Sequence, residues 1–143
     1  MLDQNALDTL FNNARSHNGW LDSDVSNEQI NQIYELMKYG PTAANNSPAR
    51  ITFVKSAAGK QKLKAHLDEG NVDKAMAAPV IAIISYDIEF YEKLPFLFPH
   101  ADARSWYAGN DAKIKSAGEM NATLQGAYFM MAARSVGLDC GPM

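Results

Sequence analysis

A second cysteine is missing from this chain of 143 residues, so Cys140 has no disulfide partner within it and the fold must rest on packing. Positive charge is scarce as well: 13 Lys and Arg against 16 Asp and Glu leave a net charge of −3. That balance excludes an electrostatic grip on nucleic acid or an anionic membrane, which needs clustered basic residues. No apolar run is long enough to cross a bilayer; the longest, Ala75 to Ile84, is interrupted by Pro79. Metal-ligand spacing is confined to His100-Ala101-Asp102, which lies among prolines and reads as a loop. Met1-Leu2-Asp3-Gln4-Asn5 has neither the basic nor the apolar region of a secretion signal, so the expected location is the cytoplasm. Repeats, linkers and dinucleotide fingerprints are absent too, and a hydrophobic share of 47% suits one domain over residues 1–143.

What is present is periodic. Leu7, Leu10 and Phe11 predict a helix over Asp3 to Asn12. Ser26-Asn27-Glu28-Gln29 has the form of a capping box and opens a second helix, with Ile30, Ile33, Leu36 and Met37 on its inner face. Gly40-Pro41 stops it. Ile51 to Val54 predicts a strand, and Ser56 caps a lysine-rich helix carrying Leu63 and Leu67. Val80 to Ile84 is apolar on both faces, the pattern of a central strand covered on both sides. Phe96-Leu97-Phe98, bracketed by Pro95 and Pro99, reads as an exposed excursion. A second capping-box pattern at Ser116 predicts the longest helix over Glu119 to Val136, buried on every side because Ala127 to Ala133 is apolar all round. Gly137 closes it, and Leu138-Asp139-Cys140 begins another strand. The fold class is therefore α+β. The halt at Cys140-Gly141-Pro142-Met143 reads as a domain without its last elements.

Between the second helix and the first strand stands Gly40-Pro41-Thr42-Ala43-Ala44-Asn45-Asn46-Ser47-Pro48. Its small side chains let a ligand approach the backbone, while Thr42, Asn45 and Ser47 bring donors and acceptors. By composition alone an ordinary polar connection explains it as well.

Four segments in order, Ala14 to Asn18, Gly40 to Arg50, Asn71 to Lys74 and Gly137 to Met143, resemble the FMN-dependent nitroreductase family across the whole chain. Within that family the likeness is to the RutE-like branch of malonic semialdehyde reductases. The resemblance implies a nitroreductase-like fold: a mostly antiparallel central sheet flanked by helices, with the long helix at a homodimer interface and the C-terminal strand and tail lacking. It implies FMN as cofactor and NADH or NADPH as hydride donor. Arg15, Ser16 and Asn18 fall on the phosphate-binding turn; Ala14 and Asn18 occupy its usual basic positions, so Arg15 supplies the charge from the neighbouring place. Pro41, Thr42, Ala43, Asn45 and Ser47 would line the flavin of the partner subunit, with Ser47 and Ala49 standing where many members carry glutamine and an aromatic. Asn71 and Lys74 would meet the pyrimidine edge, and Pro142 and Met143 the backbone beside flavin N5.

The function implied is ping-pong hydride transfer through flavin N5 to a small acceptor: an aldehyde of the malonic semialdehyde type, or a nitro or quinone compound. No side chain is expected to act as a catalytic acid or base, with Lys74 in support. The alternative is a non-catalytic flavin-binding or redox-sensing module. Without the resemblance, Arg15 and Lys74 are ordinary solvated charges. Cys140, in an apolar pattern with nothing near to lower its pKa, reads as structural.

Overall fold

A computed structural model describes all residues from Met1 to Met143. The first helix, α1 (Gln4–Leu7), is capped by Asp3, whose carboxylate accepts the Ala6 N–H, and widens into a π-helical turn over Asp8–Asn12. An irregular segment leads to α2 (Asn27–Met37). Here both halves of the capping box form: Ser26 Oγ accepts the Gln29 N–H at 3.1 Å and Gln29 Oε1 accepts the Ser26 N–H at 2.9 Å. The loop after α2 runs into β1 (Ala49–Val54). Ser56 then caps α3 (Ala57–Lys64) as its position predicts, but Leu67 lies beyond the end of that helix.

A separate helix, α4 (Glu69–Ala77), follows, which the sequence pattern did not reveal; Asn71 and Lys74 both lie on it. Next comes β2 (Ile81–Tyr86), antiparallel to β1 with Ile51 opposite Ile84 and Phe53 opposite Ala82. These two strands make the whole sheet. β2 is therefore not a central strand covered on both sides: it has one neighbour, and Ile83 and Ile84 are exposed. The apolar run reflects faces left open in the single chain, not a double cover.

Phe96-Leu97-Phe98 is an exposed excursion only at Phe96, because Leu97 and Phe98 are half-buried and Phe98 packs on a core built from the surrounding residues. In that core Phe90, Leu94, Ala103 and Tyr107 are buried with Ile114 and Ala117 around α5 (Leu94–Leu97). Phe90 and Tyr107 pack edge to face at 5.0 Å between ring centres.

The longest helix, α6 (Asp111–Ser135), begins eight residues before the expected start at Glu119. Its N-cap is Asn110, whose Oδ1 accepts the Lys113 N–H at 3.0 Å, and the Ser116 capping-box pattern sits idle in mid-helix. At the other end Gly137 takes φ +81°; its N–H reaches Arg134 O and the Leu138 N–H reaches Ala133 O, a Schellman closure. α6 packs on α2 and on both strands. Ile33, Met37, Ala132 and Ala133 form the second core there, with Ile51, Phe129 and Cys140 against it. It is not buried all round, because Met120, Leu124, Ala127 and Tyr128 are exposed along one face. Leu138-Asp139-Cys140 forms no strand. No helix is long and apolar enough to cross a membrane.

Candidate functional site

Three of the four segments converge at the C-terminal end of α6. The Arg134 guanidinium donates to Leu10 O at 3.0 Å, which draws the π-helical turn and the Ala14–Trp20 segment after it to this end of the molecule. Trp20, unremarked in the sequence, joins that segment to α4: its indole N–H donates to Lys74 O at 2.7 Å. The tail closes the group. A Cβ on Gly141 would lie 2.6 Å from His17 O and 3.1 Å from the Trp20 ring, so only glycine lets the chain pass there. His17 Nε2 stands 3.6 Å from Asp139 Oδ2, an exposed pair that adds little to stability.

Within this group Arg15, Ser16 and Asn18 are exposed, Asn71 and Lys74 are half-buried, and Pro142 and Met143 are exposed. Arg15 folds back on its own turn, its Nη1 donating to Asn12 O at 2.8 Å and Ala14 O at 2.7 Å. Those bonds keep the guanidinium at the turn, and the residue as a whole is exposed. A cation, a hydroxyl at Ser16 and an open backbone turn are the donor set a phosphate takes. Cys140 is not a reactive thiol in this setting. Burial pushes its pKa up, the nearby Arg134 charge opposing and Asp139 reinforcing the shift.

The fourth segment, Gly40 to Arg50, lies elsewhere, against the middle of α6. Ala44, Asn45 and Ser47 all have positive φ, at 50°, 50° and 38°. Asn tolerates that region, but Ala and Ser in it each cost on the order of 1–3 kcal/mol, and such strain concentrates at ligand sites. The loop is held by hydrogen bonds. Thr42 Oγ1 accepts the Ser47 N–H at 3.1 Å, and Asn45 Nδ2 donates to Leu97 O at 3.0 Å. Thr42 and Asn45 thus spend part of their polar capacity inside the protein. Pro41, Ala43 and Asn45 remain exposed, and Thr42 and Ser47 are half-covered. At the foot of the loop Arg50 Nη2 meets Asp87 Oδ2 at 2.7 Å, and the Asp87 N–H donates to Pro48 O at 3.0 Å.

Sequence reasoning missed the side chains beneath this loop. Asn121 Oδ1 accepts the Ala43 N–H at 2.8 Å, and Gln125 Oε1 accepts the Ala49 N–H at 2.8 Å. Two amides four residues apart in a largely apolar helix were the available signal. The loop meets α6 from Asn121 to Tyr128 and the other group meets it at Arg134, a separation of roughly 9–20 Å along the helix axis. Open grooves of about 650 and 640 Å³ run along α6 and between α2 and β1, and none of the candidate residues lines either.

Comparison with known proteins identifies the family and the fold. Residues 13–143 match the family described as "Nitroreductase family". A protein of Ralstonia nicotianae named "Putative NADH dehydrogenase/NAD(P)H nitroreductase" is 55% identical over 142 residues, covering 99% of this chain and 73% of its own length. Two crystal structures, each called a "putative nitroreductase", share the fold. That of ydfN from Bacillus subtilis superposes with a TM-score of 0.83 at 20% identity, over 96% of this chain and 75% of its own. One from Exiguobacterium sibiricum, solved in complex with FMN, gives 0.79 at 17% identity, over 96% and 73%. On the family match and the Ralstonia relative together, this chain belongs to the nitroreductase family.

Proposed function

We propose that the protein is an FMN-dependent NAD(P)H oxidoreductase whose cofactor lies between two copies of the chain. The observation that carries this reading is the joining at Trp20 of three segments far apart in sequence: the turn that bears Arg15 and Ser16, the helix α4 that bears Asn71 and Lys74, and the Gly141 tail. The residues fit the cofactor: an open cationic turn for its phosphate and a half-buried amide and ammonium for its pyrimidine edge. The named activity of the Ralstonia relative and the FMN complex of the Exiguobacterium structure point the same way.

Each residue then has a physical task. Arg15 and Ser16 hold the phosphate, with Asn18 beside them. Asn71 donates to and accepts from the pyrimidine edge, and the Lys74 ammonium offsets the negative charge that accumulates there on reduction. Pro142 and Met143 place backbone beside N5. From the second copy, Pro41, Thr42, Ala43, Asn45 and Ser47 cover the other edge of the ring and keep water away. Bound FMN supplies a two-electron carrier, accepting hydride from NADH or NADPH and releasing it to the acceptor. Ping-pong order follows if donor and acceptor use the same open face in turn. The acceptor we favour is a small aldehyde of the malonic semialdehyde type, with nitro and quinone compounds as the wider range. That RutE-like assignment rests on the likeness of the four segments together; Ser47 and Ala49 leave more room in the Gly40 to Arg50 segment than glutamine and an aromatic would.

The test is direct. Purified protein is expected to be yellow, to release FMN on denaturation, and to oxidise NADH or NADPH faster when malonic semialdehyde is added. Colourless protein that does not take up FMN overturns the reading, and bound FMN without turnover leaves only a binding module. Lys74→Met should also lower the potential of bound FMN. Loss of about 1–2 kcal/mol of charge stabilisation corresponds to roughly 20–45 mV for two electrons. A spectroscopic redox titration showing no fall would remove Lys74 from the site.

A further inference from the structure

Three non-glycine residues of the Gly40 to Arg50 loop have positive φ, and two of them, Ala44 and Ser47, are strained, so something must over-determine its shape. Its own side chains do only part of this. Asn46 is buried, yet neither its Oδ1 nor its Nδ2 has a hydrogen-bond partner. The remaining anchors come from one stripe of α6. Asn121, fully buried, accepts the Ala43 N–H, and one turn later Gln125 accepts the Ala49 N–H. Residues 121, 125 and 128 share a face by helical periodicity, and Tyr128 packs under Gly40. The two amide acceptors grip the loop just before and just after the strained residues.

Asn121 is itself fixed, since its Nδ2 donates to Ala117 O at 2.8 Å. That bond sets which way round the amide lies and aims its oxygen at the loop. A hydrocarbon at either position would leave a loop N–H unsatisfied beneath the strained segment.

We propose that Asn121 and Gln125 are positioning residues that hold the Gly40 to Arg50 loop in the strained shape it presents to flavin bound by a second copy of the chain. The proposal rests on the flavin reading above. Neither side chain touches the cofactor; both act through the loop backbone. Because α6 also carries the exposed Met120 and Leu124 on an adjoining face, the same helix aligns the loop with the other copy.

The experiment has two readouts on the full-length protein: hydrogen exchange of the Ala43 and Ala49 amides without FMN, and FMN affinity by fluorescence titration. Asn121→Leu should speed exchange at Ala43, and Gln125→Met at Ala49, each by about tenfold or more, with FMN affinity falling by a similar factor. Gln125→Glu keeps the acceptor oxygen and should restore slow exchange at Ala49. If a hydrocarbon variant fails to fold, Asn121→Ser and Gln125→Glu supply the comparison, the shorter serine releasing Ala43. Unchanged exchange in the variants overturns the clamp. Faster exchange with unchanged FMN affinity overturns the positioning role while leaving the clamp. Slow wild-type exchange in a protein that never binds FMN overturns the flavin reading, and the positioning role with it.

Discussion

Asp87 shows how a single carboxylate can secure a site it does not enter. Its Oδ2 meets Arg50 at 2.7 Å and Lys93 at 3.2 Å, and its Oδ1 accepts the Glu89 N–H at 2.9 Å. Burial alone would raise its pKa; the Glu89 N–H, the Lys93 hydrogen bond and the two cationic charges outweigh it and hold the carboxyl below its ordinary value of 3.8. A depressed carboxyl contributes stability above the unfolded-state pKa and loses it as pH falls through the folded-state value. Asp87→Asn should therefore destabilise the protein at pH 7 by about 1 kcal/mol, since the pairs are partly solvated. The gap to wild type should close as pH drops below about 4 in urea-unfolding series. A gap that stays constant down to pH 2 would show that the charge plays no part. Nothing local in the sequence marks this residue, because Arg50 and Asp87 are brought together only by the pairing of β1 with β2.

At the scale of elements, what was legible was what is decided locally. Ser26 and Ser56 cap α2 and α3 because hydroxyl and amide lie three residues apart, and Gly137 closes α6 because only its φ of +81° completes the turn. The same local rule misfired at Ser116: a capping box needs a chain that is not already helical, and Asn110 had begun α6 a turn and a half earlier. α4 was hidden by Gly70 and a weak apolar stripe, and the support beneath the loop by distance, since Asn121 and Gln125 lie 78 and 76 residues from the amides they bind. Gly40 was legible as a helix stop, but its reason is different. It is not among the positive-φ residues; a Cβ there would lie 2.6 Å from Tyr128 Cγ. Gly40→Ala should thus cost about 1–3 kcal/mol by overpacking, unless the ring moves. Combining it with Tyr128→Ala should remove most of that penalty, giving a favourable coupling in a thermal-unfolding double-mutant cycle. Additive losses would mean that the ring does not oppose the new methyl group.

The whole molecule is too open for its mass. A monomer of 15.7 kDa is expected to expose roughly 7,300 Å², whereas this chain exposes 9222 Å². The surplus of about 1,900 Å² is of the size one protomer gives to a large obligate interface. Part of its apolar surface lies where α6 presents Met120, Leu124, Ala127 and Tyr128, with Ile83 and Ile84 exposed on the sheet that α6 packs against; Leu21, Tyr39, Ile88 and Phe96 are exposed elsewhere. The two halves of the proposed flavin site meet α6 at different heights, the loop from Asn121 to Tyr128 and the other group at Arg134, and in the proposed site they reach one ring from different copies. The proposed two-fold axis beside α6 would meet both needs: it would cover the apolar face and set one copy's loop against the other's Arg15 and Lys74. Sedimentation at micromolar concentration is expected to give a homodimer. Leu124→Glu, which places a charge in that face without touching either half-site, should shift the protein toward monomer. FMN affinity should fall at the same protein concentration and recover as the dimer is restored by raising it. Wild-type protein that sediments as a monomer yet binds FMN tightly would require the cofactor to be held by one chain alone, and the two-copy site would have to be abandoned.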